Sequence, residues 1–304
     1  MRLVERFVGA PARLTVLKDK PGKRWTARAT GPRGTAIVKV YATDRAPAVA
    51  ARVRALAPGP GEPAMPSVLA VDADRHAVIL SEVAGRPLRV HALGGDLATC
   101  RRAGRVLAAW HRHWALRPPD VMRLHTPERE QAILRRWAER SGDIGQRVLA
   151  TNPEGLISRG WDMPTVVHRD LYEEQFVVGD RIGLIDLDDA ALGPPELDVA
   201  NLLAHLELLE ARHRRDLSRI RCAFLAGYGE VSHHLDPTLH DALRKLTLLR
   251  LACIHGLPHL VDIAFEPPYE RDAGSGPTDI RDRTADESSL MIEESKIAES
   301  PGAR

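Results

Sequence analysis

At 304 residues the chain is long enough for two packed lobes with substantial cores, and one small domain would not fill it. Its 43 Lys and Arg nearly cancel its 41 Asp and Glu, which excludes a global electrostatic footprint for nucleic acid or an anionic membrane, so partners must be argued from a local site. Cys100, Cys222 and Cys253 are far apart, with neither a metal-ligand spacing nor a disulfide framework, and read as core thiols of a reducing compartment.

The first residues include Arg2, Glu5 and Arg6 and no apolar core of signal-peptide length, and no segment approaches the ~20 apolar residues of a membrane span. A soluble, cytoplasmic protein is expected. From about Leu3 to Val83 the signals are those of strands. Arg13–Leu17 alternates, Lys18–Lys23 is a polar turn with Gly22, and Trp25–Thr30 alternates again, which makes a hairpin. A second turn, Gly31–Gly34, leads into Thr35–Tyr41, which carries Lys39. Ala46–Ala57 is a helix ended by Pro58-Gly59-Pro60-Gly61; it offers Arg52 and Arg54 and no carboxylate. Val68–Val71 and Ala77–Leu80 form a strand pair, and the chain leaves through Ser81–Leu88.

Gly95–Leu116 is strongly helical and stops before Pro118-Pro119. Its His111 and His113, two apart on a helix, point about 200° away from each other, so one helix cannot offer them to one ion and they read as structural. Glu128–Arg140 is a charged amphipathic helix. Arg147–Ser158 is helical but broken at Asn152-Pro153, and the arginines of these segments do not resemble an acidic cleft for a polycation.

Val166–Asp198, VVHRDLYEEQFVVGDRIGLIDLDDAALGPPELD, gathers acidic and amide side chains at the ends of short apolar runs. Val166-Val167, Phe176–Val178 and Ile182–Ile185 read as strands, with Gly179-Asp180 as a two-residue hairpin turn. Asp170 falls in the loop before the hairpin, Gln175 at its entry and Asp186 at its exit. Phosphoryl transfer needs such a set: a carboxylate to orient a hydroxyl and accept its proton, and oxygen ligands to hold Mg²⁺ against phosphates. In extended chain Asp188 shares a side with Asp186 while Asp189 points away. Helices follow over Asp198–Glu210, Leu217–Tyr228 and Asp236–Leu257. Glu207 and Glu210 share a helix face that reads as solvated, as do His233 and His234 at a helix junction. From about Arg271 the composition is that of a disordered tail, with at most a short helix near Ser289–Ile297.

HRDLYEEQ, Asp186 at a strand end, and GPPELDVANLLAHL resemble the catalytic segment of the aminoglycoside phosphotransferase and choline kinase-like family, related to protein kinases. GRVLAAWHRHW and FLAGYG resemble two of its helices. The resemblance implies an α+β, two-lobed protein kinase-like fold. Residues 1–83 would form the nucleotide lobe on an antiparallel sheet. Residues 84–270 would form a mainly helical lobe with the catalytic loop and acceptor site, leaving 271–304 as the tail. It implies ATP or another nucleoside triphosphate and Mg²⁺ as cofactors, with a small-molecule hydroxyl as acceptor. Asp170 takes the catalytic role. Asp186 leads the Mg²⁺ ligands, with Gln175 and, second in rank, Asp188. Lys39 takes the place of the third-strand lysine, and Lys20 and Lys23 lie in the turn over the phosphates. The main chain of Glu82 and Val83 is placed at the adenine hinge. His168 and Asp198 brace the catalytic loop.

Two departures stand out. The family has Asn where this chain has Gln175, one methylene longer, and Mg²⁺ tolerates little error at its ~2.1 Å ligand distance; Glu173 or Glu174 offers compensation. The glutamate that pairs with the lysine in related kinases is also missing, and Glu62 and Glu5 lie outside the helix. These departures motivate a nucleotide-binding pseudokinase as the alternative. His-Arg-Asp in place of His-Gly-Asp raises a protein kinase, against which the segment after Asp186 leaves no room for a long activation loop.

Overall fold

The computed structural model describes residues 2–56, 63–157, 161, 164–232 and 235–266. The strand signals of the first eighty residues hold from Arg13 on, but the chain opens with a helix, α1 (Arg2–Val8). Leu3, Val4, Phe7 and Val8 recur at helical spacing, and Val4 and Val8 bury against Ala29, Ala36, Val38 and Ile79 of the sheet. That sheet comprises β1 (Arg13–Lys20), β2 (Arg24–Gly31), β3 (Gly34–Tyr41), β4 (Val68–Asp72) and β5 (Ala77–Ser81). Its order is β1-β2-β3-β5-β4 and every pairing is antiparallel. Gly22 closes the first turn at φ 67°, where a side chain would be strained. Helix α2 (Ala46–Ala55) buries Ala46, Val49, Ala50 and Val53 under the sheet.

The chain then enters the helical lobe through β6 (Arg86–Pro87), which pairs with β8 (Phe176–Val178). The helix expected to start at Gly95 is divided. A short α3 (Leu88–Gly94) ends on Gly95, left-handed at φ 76°, and α4 (Leu97–Leu116) restarts where the Asp96 side chain accepts the Thr99 N–H. Next come α5 (Pro127–Ala138), α6 (Gly142–Ala150) and a 3₁₀ turn over Pro153–Leu156, entered through Asn152 at φ 50°. The small strands β7 (Thr165–Val167), β8, β9 (Ile182–Leu184) and β10 (Ala191–Gly193) precede α7 (Glu196–His213), α8 (Ser218–Gly229), α9 (Pro237–His255) and α10 (His259–Phe265). Strands β8 and β9 pair with Val178 opposite Ile182, so the turn has three residues, Gly179–Arg181, where two were expected. A two-residue turn would shift the register by one and move the buried Ile182 to the wrong face.

One apolar cluster runs through both lobes. Val78 and Leu80 of the sheet and Val49 and Val53 of α2 join Leu88, Leu107, Phe176, Leu184 and Phe224. The linker after β5 lies directly on the β8–β9 hairpin. A Cβ on Gly183 would come within 2.5 Å of Val83 Cγ1, and one on Gly85 within 2.5 Å of the Val178 carbonyl oxygen. Ala64 also bonds the hairpin, donating to the Ile182 carbonyl at 2.9 Å and accepting from Leu184 at 2.9 Å. Cys100 and Cys253 are buried, whereas Cys222 is exposed and is not a core thiol. No helix among the described residues is long and apolar enough to cross a membrane. The expected breaker 58–61, Glu62, Ser158, His233, His234 and the tail 271–304 lie outside the described residues.

Candidate active site

The loop between β7 and β8 is built from the main chain outward. Asp198, in the first turn of α7, is fully buried; its Oδ2 accepts the His168 N–H at 2.6 Å and its Oδ1 the Arg169 N–H at 2.8 Å. With Nε2 protonated, His111 donates to Asp198 Oδ2 at 3.1 Å, and its Nδ1 lies 2.9 Å from the Tyr228 hydroxyl. Asn201, one turn further along α7, donates to the Arg169 carbonyl at 2.6 Å, and its Oδ1 accepts from Thr247 Oγ1 at 2.7 Å and Arg250 at 3.0 Å. These bonds hold Arg169 at φ 72°, a left-handed conformation that costs a non-glycine residue about 1–2 kcal/mol. His168 Nε2 bonds the Ile185 carbonyl at 2.7 Å, which ties the loop to the residue before Asp186. Asp170 emerges from this scaffold exposed to solvent. Asn201 was missed in the sequence; its one signal is an amide on the buried face of an amphipathic helix.

Asp186 follows β9 at φ 62° and turns the chain into a 3₁₀ turn over Leu187–Asp189. The chain is therefore not extended there. The turn nonetheless returns Asp188 to the same cation as Asp186: Lys39 Nζ lies 2.6 Å from Asp186 Oδ1 and 2.6 Å from Asp188 Oδ1. Arg24 at the start of β2 grips Asp186 with two parallel bonds, Nη1 to Oδ1 and Nη2 to Oδ2, each 2.9 Å, while Nη1 also reaches Asp188 Oδ2. Tyr41 donates to Asp188 Oδ2 at 2.8 Å. Burial alone would push the Asp186 carboxyl up, but the Lys39 and Arg24 charges outweigh it and hold it well below the usual carboxylate range. Burial, then the Asp188 charge, push the Tyr41 hydroxyl far above the usual phenol range.

Lys39 thus finds its partners in the Asp186–Asp188 turn. Helix α2 and the residue before it meet that same turn with cations, Arg52 donating to the Asp188 carbonyl at 2.5 Å and Arg45 to Asp189 Oδ1 at 2.8 Å. Arg24, Tyr41, Arg45 and the role of Arg52 are invisible to a motif search, since their partners lie more than a hundred residues away.

Gln175 is buried, and its carbonyl accepts the Ile185 N–H at 3.0 Å, so Gln175 and Asp186 stand at the same end of the hairpin. Glu174 pairs with Arg89. Glu173 is 7% exposed, and no partner reaches its Oε2 among the described residues. Burial, then the Glu174 charge, raise its carboxyl to about 7. Tyr172 stacks on His205 with ring centroids 4.9 Å apart. Burial, then the charges of Arg250, His255 and Arg212, lower His205 to about 3, so that ring is neutral.

In the β1–β2 turn Lys23 N–H closes on the Lys20 carbonyl at 2.9 Å, and the Lys23 ammonium crosses to the helical lobe, 5.9 Å from the centre of the Trp137 ring. Burial, then the Lys20 charge, lower the Lys18 ammonium of this hairpin, while the charges of Asp186 and Asp170 pull the other way. Glu82 in the linker pairs with Arg28 at 2.5 Å, and the Val83 side chain covers Gly183. Glu207 and Glu210 are not a bare solvated face. Arg244 grips Glu207 at 2.7 and 2.6 Å, Arg221 pairs with Glu210, and the four residues border a cavity of about 260 Å³ that no catalytic-loop residue lines.

In chemical kind, the two carboxylates and the amide suit a hard cation such as Mg²⁺. Among the described residues no group of three or more His, Cys, Asp or Glu forms a metal site, so such a set would depend on the amide oxygen of Gln175. Its carboxylate oxygens are at the same time neutralised by Arg24 and Lys39.

No curated protein matches the chain in sequence. Among solved structures, the spectinomycin phosphotransferase APH(9)-Ia in complex with ADP and spectinomycin aligns over 88% of this chain and 94% of its own, at 14% identity and a TM-score of 0.61. Choline kinase from Cryptosporidium parvum Iowa II aligns over 86% of this chain and 88% of its own, at 11% identity and 0.61. Aminoglycoside-3'-phosphotransferase of type VIII aligns over 82% and 96%, at 22% identity and 0.61. They share the two-lobed kinase-like α+β fold described above. The sequence pattern of the phosphotransferase enzyme family matches residues 24–246, from Arg24 to Leu246, and with the catalytic loop held as described, the chain belongs to that family.

Proposed function

We propose that the protein transfers the γ-phosphoryl group of ATP, or of another nucleoside triphosphate, to a hydroxyl group of a small molecule in the cytoplasm. The observation that carries this reading is the catalytic loop. Asp198, His111 and Asn201 fix its main chain, His168 couples it to the residue before Asp186, and Asp170 is left exposed to solvent. Asp170 accepts a hydrogen bond from the acceptor hydroxyl, orients its oxygen at the γ-phosphorus and takes its proton as the new P–O bond forms. Lys39 and the β1–β2 lysines meet the phosphates, and the Glu82–Val83 main chain meets the base. Asp186 and Gln175, with Asp188 behind them, would hold Mg²⁺, which neutralises the phosphate oxygens when bound.

The relatives' acceptors, spectinomycin and choline among them, support a small-molecule acceptor over a protein. The start of β10 at Ala191, immediately after the Asp186 turn, supports the same choice, since a long activation loop has no place there. The second reading, a nucleotide-binding pseudokinase, is favoured by Gln175 and by the cations on Asp186. Nucleotide consumption over a panel of hydroxyl compounds separates the two. Turnover that falls on the order of 10²–10⁴-fold in Asp170→Ala is expected of the enzyme. Tight nucleotide binding with no Asp170-dependent turnover would instead establish the binder.

A further inference from the structure

The strongest feature outside the motif is Arg24. Its guanidinium meets Asp186 edge-on, in the two-bond fork geometry that fills the outward edge of a carboxylate, and the same Nη1 reaches Asp188. It therefore occupies the edge of Asp186 through which a divalent cation would be held, and competes for the same Asp188 oxygen. Lys39 shares Asp186 Oδ1 with Arg24 and takes the remaining Asp188 oxygen, Oδ1, so two side-chain cations balance the two carboxylates. Arg24 also opens β2 directly opposite Lys20, at the base of the turn that contains Lys20, Gly22 and Lys23. A guanidinium that lets go of Asp186 there lies under a lysine-bearing hairpin, with five donors suited to phosphate oxygens.

We propose that Arg24 is an exchanging counter-ion: it holds Asp186 and Asp188 in the nucleotide-free protein and moves onto the triphosphate when the metal–nucleotide complex binds. The proposal rests on the phosphotransferase reading and adds to it a residue and an order of events. Two properties follow for the protein without nucleotide. Divalent metal binds weakly by itself, because a bidentate ion pair must first open and the apparent affinity falls by the fraction of molecules in which it is open. Nucleotide without metal binds measurably, because Arg24 and Lys39 supply the positive charge.

The test uses the full chain and the free metal. Mn²⁺ is titrated by electron paramagnetic resonance into nucleotide-free wild type, Arg24→Gln and Arg24→Lys, and ADP binding is measured by calorimetry in the presence of a chelator. Arg24→Gln is expected to bind Mn²⁺ about tenfold more tightly or better and to bind metal-free ADP at least about tenfold more weakly. Arg24→Lys, which keeps the charge but loses the two-bond grip, falls between them and serves if the glutamine variant does not fold. A merely structural arginine would not sharpen metal binding when removed. Unchanged or weaker Mn²⁺ binding in both variants overturns the proposal while wild-type nucleotide binding leaves the phosphotransferase reading standing. Failure of the wild type to bind ADP with or without metal overturns the proposal and that reading together.

Discussion

Asp198 and Asp186 are both acids of the segment from β7 to the first turn of α7, yet the protein treats them in opposite ways. Asp198 is sealed among dipoles: two main-chain N–H groups and a histidine ring meet its oxygens, and none of them can leave without dismantling the loop. Asp186 is surrounded by long side-chain cations, Arg24 and Lys39, on strands of the other lobe. Main-chain dipoles fix geometry, whereas side-chain cations can be exchanged for other charges. The contrast separates an acid that fixes a loop's main chain from an acid held by side-chain charges.

The sharpest break of this comparison is Asp198→Ala. It leaves the His168 and Arg169 N–H groups and His111 buried without their acceptor, and is expected to destabilise the fold by about 3–5 kcal/mol, read by denaturant unfolding. Asp186→Asn should cost less, about 1–3 kcal/mol, since Asp188 still receives Arg24 and Lys39. An Asp186 variant as damaging as the Asp198 one would erase the distinction.

Glu173 adds a third environment, burial with neither dipoles nor a cation on one oxygen. Its carboxyl rises from 4.5 to about 7. Between those values the folded chain binds more protons than the unfolded one, so this group's contribution to stability is complete below about pH 4.5 and is lost as pH rises through about 7. Glu173→Gln, neutral at every pH, should therefore melt like wild type near pH 4.5 and be more stable near pH 8 by about 1–3 kcal/mol. A pH-independent difference would mean that Glu173 is ionised throughout.

The loop and hairpin were legible because their signals are local: short β-branched runs, a glycine at the turn, and acids at fixed spacing around them. Helix α1 is equally local, with Leu3, Val4, Phe7 and Val8 at helical spacing, but it is short and stands just ahead of the alternating strand signal of β1. The division at Gly95-Asp96 was written as a C-cap glycine followed by an N-cap aspartate. The cation cluster was not legible. Arg24 and Asp186 are 162 positions apart, and only the sheet register that sets Arg24 opposite Lys20, together with the apolar core joining the lobes, brings them into contact. The missing helix glutamate reads in the sequence as a lost partner for Lys39, whereas in three dimensions the Asp186 turn takes that place and α2 carries arginines to match it.

Gln175→Asn gives the smallest and finest break. Gln175 is buried and bonded through its main chain to Ile185, so removing one methylene should change stability by no more than about 1 kcal/mol. Its consequence belongs to the exchangeable side of the comparison. If Asp186 is the acid that gives up Arg24 for metal, the amide beside it sets how well that metal is held, and a shorter side chain restoring the family's ligand length should lower the Mg²⁺ concentration for half-maximal turnover by a few-fold. Asp198 predicts no such response, since nothing it touches leaves. A Gln175→Asn protein with an unaltered Mg²⁺ requirement, alongside an Arg24→Gln protein with a tightened one, would assign control of the metal to the arginine rather than to the amide.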